Sequence, residues 1–189
     1  MQKTWRVLFG VLLAGMFPVF SAQAVENLLQ DPGFEGGINE PYAECWKPFN
    51  NCYCAPVTPR TGTFVSKIYG NFSSSDNESG VWQDVPASGG KYYQATAYMR
   101  QNAGDSLDGE NKAWLKLEFW GANGMLKVYE SPIKIDGKGA KGKYVLISTG
   151  RCGAPEGTVT ARWVALFKQG KDNAKGCILV DDGALTEVP

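Results

Sequence analysis

The sequence contains no histidine. That absence removes Ser-His-Asp and Cys-His catalysis and every His-ligated metal site. It has no excess charge either, with 19 basic side chains against 19 acidic ones. Setting aside Lys3 and Arg6 at the start leaves 17 basic against 19 acidic, a net of −2. Phosphate binding needs a positive field, so nucleic acid is not expected as a partner. No apolar run after residue 24 is long enough to cross a bilayer, and no amphipathic helical stripe of useful length follows residue 26.

The one long apolar run is Val7–Phe20, which follows the basic Lys3 and Arg6. It is short for a membrane span, and "SAQA" then places Ala22 and Ala24 in small-x-small spacing. Residues 1–24 therefore read as a cleaved signal peptide, and residues 25–189 as a single domain, secreted or periplasmic. In an exported chain the five cysteines, Cys45, Cys52, Cys54, Cys152 and Cys177, are disulfide candidates. Spacing leaves many pairings open. The favoured ones are Cys45 with Cys52 or Cys54, and Cys152 with Cys177. The odd cysteine would let two chains join covalently. A zinc site at Cys45, Cys52 and Cys54 is disfavoured, because the spacing is not C-x-x-C and a fourth ligand is missing. Asn71 and Asn77 head N-x-S sequons, which matter only in a host that glycosylates exported chains.

What the sequence does have is short runs rich in Val, Tyr, Thr, Phe and Trp between Gly, Pro, Asn and Asp turns. This is an all-β pattern. The expected strands are Thr63–Tyr69, Gly80–Val85, Tyr92–Gln101, Lys112–Trp120, Leu126–Ile135, Lys143–Thr149, Thr158–Phe167 and Gly176–Thr186. Eight strands in a chain of this size fit one antiparallel β-sandwich, a jelly roll. The lysines of "KIDGKGAKGKY" (Lys134, Lys138, Lys141, Lys143) lie among glycines and read as a solvated loop rather than an anion site.

Two strands carry chemistry on one face. Side chains alternate along a strand. In "KAWLKLEFW", Ala113, Leu115, Leu117 and Phe119 form a core face, leaving Trp114, Lys116, Glu118 and Trp120 opposite. In "YYQATAYMR", Tyr93, Ala95, Ala97 and Met99 face the core, leaving Tyr92, Gln94, Thr96, Tyr98 and Arg100 outside. Trp82 alternates away from Val81, Gln83 and Val85 and joins them as a candidate. If the two strands shared a sheet, Trp82, Gln94, Tyr98, Arg100, Trp114, Lys116, Glu118 and Trp120 would line one surface. Aromatic platforms for the CH face of a pyranose, with donors and acceptors at the rim, suit a polysaccharide or glycan.

The order of motifs completes the expectation. "NLLQDPGFEGG", Trp46, "GTFVSKIYG", "SGVWQDV", "GGKYYQATAYMR" and "CILVDDGAL" follow one another. In this order the chain resembles carbohydrate-binding modules of families four and nine, galactose-binding-like jelly rolls often attached to secreted glycoside hydrolases. The resemblance implies non-catalytic carbohydrate binding on a concave sheet. It also implies a structural calcium (Ca2+) held by Gly33, Glu35 and Asp181, hard oxygen ligands that suit this ion. Trp46 matches an early Trp that belongs to the core or to the cleft. The alternative class is an extracellular structural or adhesion module binding a protein or cell-wall partner. An enzyme is not expected. A glycosidase needs two carboxylates across the scissile bond, and this face offers Glu118 with only Asp84 as a partner.

Overall fold

The computed structural model describes residues 25–36 and 45–189, and the expected signal peptide lies outside them. Among these residues twelve strands are formed: β1 (Lys47–Phe49), β2 (Cys52–Ala55), β3 (Val65–Tyr69), β4 (Asn77–Pro86), β5 (Tyr92–Gln101), β6 (Lys112–Gly121), β7 (Gly124–Glu130), β8 (Ile135–Asp136), β9 (Val145–Ser148), β10 (Cys152–Gly153), β11 (Thr160–Gln169) and β12 (Cys177–Val188). They make two antiparallel sheets, an all-β jelly-roll sandwich as the turn pattern predicts. The first runs β1-β4-β11-β6-β7, with β8 also paired to β6. The second runs β10-β5-β12-β3-β2, with β9 also paired to β5. No helix among the described residues is long and apolar enough to cross a membrane.

Alternation builds the core as expected. Leu115, Leu117 and Phe119 of β6 and Trp163 and Phe167 of β11 meet Tyr93, Ala95, Ala97 and Met99 of β5. Tyr93 and Phe119 touch across the sandwich with centroids 5.8 Å apart. Trp46 belongs to the core. It stacks on Phe34 at 4.6 Å, meets Trp163 edge-on at 5.2 Å, and donates from Nε1 to the Asp31 carbonyl at 2.8 Å.

Three strands went unforeseen. β1 and β2 hide in "CWKPFNNCYC", where Pro48, two asparagines and three cysteines mask any alternation. β10 is only two residues long. The expected strand Leu126–Ile135 breaks in two after Glu130. Ser131 turns its hydroxyl onto the Ile133 carbonyl and accepts the Leu115 amide, and Pro132 has no amide to continue the ladder.

Neither favoured disulfide is formed among the described cysteines. Cys152 pairs with Tyr93 at one end of β5, and Cys177 precedes Ile178, which pairs with Gln101 at the other. Eight residues of strand are about 26 Å, far beyond the roughly 7 Å that a bridge can span. Cys52 and Cys54 point inward from one face of β2 opposite Ile68 and Ser66. Cys45 instead turns its thiol toward the Gln30 carbonyl at 3.8 Å.

Candidate functional site

The two chemically marked strands belong to different sheets, β6 to the first and β5 to the second. Their inner faces meet in the core, so their outer faces look in opposite directions. The eight candidate residues therefore divide. Trp82, Trp114, Lys116, Glu118 and Trp120 lie on the outer face of the first sheet. Gln94, Tyr98 and Arg100 lie on the outer face of the second. Sequence alone could not see this, because adjacency in the chain does not fix adjacency in a sheet.

The second outer face is closed. Arg60 lays its guanidinium 3.5 Å over the Tyr98 ring and ties its Nη1 to Asp182 at 2.6 Å. Tyr144 donates to the Thr58 carbonyl at 3.0 Å and covers Arg100 at 5.2 Å from its ring. Gln94 donates to Ser148 at 2.9 Å.

Registry sets the outward residues of the first sheet in rows, and Trp120 lies in the row of Pro86 and Thr160, next to that of Asp84, Arg162 and Glu118. The row Phe49–Gly80–Leu166–Trp114 is apolar. Phe49 lies so close over Gly80 that a β-carbon there would meet its ring. Trp114 is only 6% exposed, packed with Val164 and Leu166 under the Lys134 ammonium at 4.2 Å. It is a buried pillar and offers no open platform. The next row runs Lys47–Trp82–Val164–Lys116–Glu130. The third sets Asp84, Arg162 and Glu118 side by side on β4, β11 and β6.

Arg162 was not among the expected site residues. It sits at the centre, 3.7 Å from the Trp82 centroid and 4.7 Å from that of Trp120. Its Nε and Nη2 donate to the two Asp84 oxygens at 2.7 and 2.9 Å. That hydrogen bond outweighs burial and, with the charges of Asp84 and Glu118, holds the guanidinium firmly charged. Trp120 donates from Nε1 to Glu118 at 3.0 Å. At the margin, burial raises the Glu130 carboxyl, but Lys134, Trp114 and Lys116 together bring it below its ordinary range. The signal for Arg162 was present in "TARWVALF", where it alternates outward between the inward Ala161 and Trp163, but a lone arginine among apolar residues reads as an ordinary rim charge.

The expected metal residues gather elsewhere, at the meeting of the chain ends. Leu28 donates to the Leu185 carbonyl and Gly183 to that of Pro32, so the opening segment lies along β12. Glu35 accepts the amides of Thr63 on both oxygens and of Phe64 on Oε1, at 3.0 to 3.2 Å. Asp181, fully buried, accepts the amides of Arg60 and Thr61 on Oδ2 and of Asp182 on Oδ1. One loop, residues 60–64, thus clasps both carboxylates. Burial still pushes the Asp181 carboxyl up, against those three amides. Gly33 flanks the Glu35 side chain. Among the described residues Glu35 Oε2 and Asp181 Oδ1 each accept a single hydrogen bond. Both are hard oxygen ligands of the kind calcium takes, but among the described residues no cluster of three or more His, Cys, Asp or Glu side chains is placed to hold a metal.

At one end of the sandwich, a polar cleft of about 600 Å³ lies between residues 106–112 and 136–141. Asp108, Glu110 and Asp136 offset Lys112, Lys138 and Lys141 there, so the basic loop is neutralised where it lines the cleft.

No family model matches the chain, and no curated protein does. Solved structures do. A family 61 carbohydrate-binding module, TmCBM61 in complex with β-1,4-galactotriose, is 14% identical with a TM-score of 0.56, over 86% of this chain and 99% of that one. The CBM22-1 xylan-binding domain of Paenibacillus barcinonensis Xyn10C is 16% identical with a TM-score of 0.58, over 89% of this chain and 98% of that one. An arabinose-bound α-L-arabinofuranosidase, MgGH51, is 16% identical with a TM-score of 0.58, but this chain spans only 26% of it. The chain is thus similar in fold to jelly-roll carbohydrate-binding modules, including ones the length of the described domain.

Proposed function

We propose that this chain is an exported, non-catalytic carbohydrate-binding module that holds a neutral polysaccharide across the outer face of the first sheet. It would act in the periplasm or outside the cell. The carrying observation is the pair of part-exposed indoles, Trp82 and Trp120, flanking the polar row Asp84–Arg162–Glu118. Apolar platforms beside fixed donors and acceptors match a sugar's CH face and hydroxyl rim. Cations and carboxylates alternate along the face, which favours an uncharged chain. The modules of like fold whose complexes contain β-1,4-galactotriose or that bind xylan support this class of ligand. Affinity to families four and nine is part of the same proposal. Catalysis is disfavoured because Arg162 fills the space between Asp84 and Glu118, where a glycosidase would seat its scissile bond.

Calcium at Glu35 and Asp181, with Gly33 beside them, belongs to the proposal as a structural ion. It would add to a clasp that the 60–64 amides already close, and its binding free energy would add to stability.

The test is titration of β-1,4-galactan and xylan with the folded protein. Trp82→Ala and Trp120→Ala should each weaken binding at least about tenfold, or 1.4 kcal/mol. Trp114→Phe should lower stability and leave affinity unchanged. Unchanged affinity in a folded Trp82→Ala/Trp120→Ala double variant would refute the site.

A further inference from the structure

We infer that Arg162 is the residue that determines linkage specificity, reading two adjacent free hydroxyls of one sugar ring. The inference rests on the carbohydrate-binding reading and deepens it. A guanidinium carries five N–H donors in a rigid planar fork. Asp84 takes two of them, from Nε and Nη2, along the side edge of the fork. Three remain, two on Nη1 and one on Nη2, and one from each nitrogen lies parallel on the end edge. No protein acceptor meets that edge among the described residues. The side chain is 22% exposed, so the edge can be reached.

The surroundings fix where the edge can go. Trp82 and Trp120 hold the guanidinium from two directions, and Asp84 fixes its rotation in plane. Such a pre-set fork loses little freedom on binding. Parallel donors suit two oxygens set side by side, as on neighbouring ring carbons. Glu118, across from Arg162, supplies an acceptor for a hydroxyl hydrogen through the oxygen that Trp120 leaves uncommitted. A β-1,4-linked hexopyranose or xylopyranose chain keeps its 2- and 3-hydroxyls free on every inner residue. A β-1,3-linked chain has the 3-oxygen in the glycosidic bond and loses the pair. The fork therefore selects chains with a free vicinal pair.

The experiment compares affinity for soluble β-1,4-linked and β-1,3-linked glycans in the wild type, Arg162→Gln and Arg162→Lys. The wild type should prefer the β-1,4 chains by about tenfold or more, the scale of a lost pair of charge-assisted hydrogen bonds. Both variants should bring the two linkages within about twofold. Lysine keeps the cation between the indoles but not the fork, so a preference that survives in Arg162→Lys overturns the inference. Equal losses on both linkages in Arg162→Gln overturn it too, since they indicate only that Arg162 props up the indoles. A wild type without preference overturns it while leaving carbohydrate binding intact. A folded wild type that binds no glycan removes the binding reading itself, and the inference with it.

Discussion

Gly62→Ala is the sharpest test of the clasp between the chain ends. Gly62 has φ of +62°, a left-handed conformation in which an L side chain costs about 1–2 kcal/mol. A methyl there would also overlap the Glu35 carboxylate. That carboxylate is the far end of a flexible, exposed side chain, so it can swing away. Doing so forfeits its three hydrogen bonds to the Thr63 and Phe64 amides. Charge-assisted bonds reach about 1.5–3 kcal/mol when sheltered, and exposure reduces this set to roughly 1–2 kcal/mol in all. The substitution should therefore cost about 2–4 kcal/mol, or roughly 5–15 °C in Tm for a domain of this size. The assay is a double-mutant cycle by thermal and urea unfolding in chelator, with Glu35→Ala as the second variant. In the Glu35→Ala background, Gly62→Ala should cost only the backbone strain, about 1–2 kcal/mol. Equal costs in the two backgrounds would show that Glu35 and the loop are not coupled, and the clasp argument would fail.

Two further outcomes follow from buried ionisable groups. Burial raises the folded Asp181 carboxyl above its unfolded value of 3.8, so the folded state holds its proton more tightly. Without calcium, its contribution to stability should fall as pH rises from about 4 through the folded value. Asp181→Asn should abolish that slope, and millimolar calcium should flatten it while raising Tm; a slope identical in all three unfolding series would refute the assignment. Among the thiols, burial pushes Cys54 to about 12 and Cys177 to about 11, while Cys45 alone is not buried. A thiol reagent should therefore label Cys45 first in the native protein and the other four only on unfolding, as peptide mass mapping would show, and any reducible dimer should vanish in Cys45→Ser.

The fold was legible because alternation is local. The inward sets on β5 and β6 were read residue by residue, and both enter the core. Pairing is not local, and that is where the reading of the site broke. Nothing in "YYQATAYMR" or "KAWLKLEFW" says that β5 pairs with β12 while β6 pairs with β11. The same gap hid Arg162, whose meaning comes from Asp84 and Glu118 on the neighbouring strands. Trp114 erred the other way. Its outward phase was right, but Leu166, Val164 and Lys134 bury an indole that periodicity leaves in solvent. Cysteine pairing failed because an exported context suggests bridges, whereas strand length set Cys152 and Cys177 at opposite ends of β5.

Both outer faces carry an arginine over an aromatic ring, and the contrast between them is why we propose only the first as a site. Over Tyr98, the cation comes from a loop distant in sequence. Arg60 is bound to Asp182 through Nη1, and its own amide anchors Asp181, so side chain and backbone together fasten the cover. Moving it would open the chain-end clasp and uncover a buried carboxylate. Over Trp82, the cation rises from the neighbouring strand and is braced within the sheet by Asp84. Among the described residues no hydrogen bond ties its side chain to an element outside the sheet, and three of its donors meet no protein acceptor. An arginine that locks a loop closes a surface. One that is braced from below and unspent above leaves that surface open to a ligand, which is the ground for proposing binding on the first sheet rather than the second.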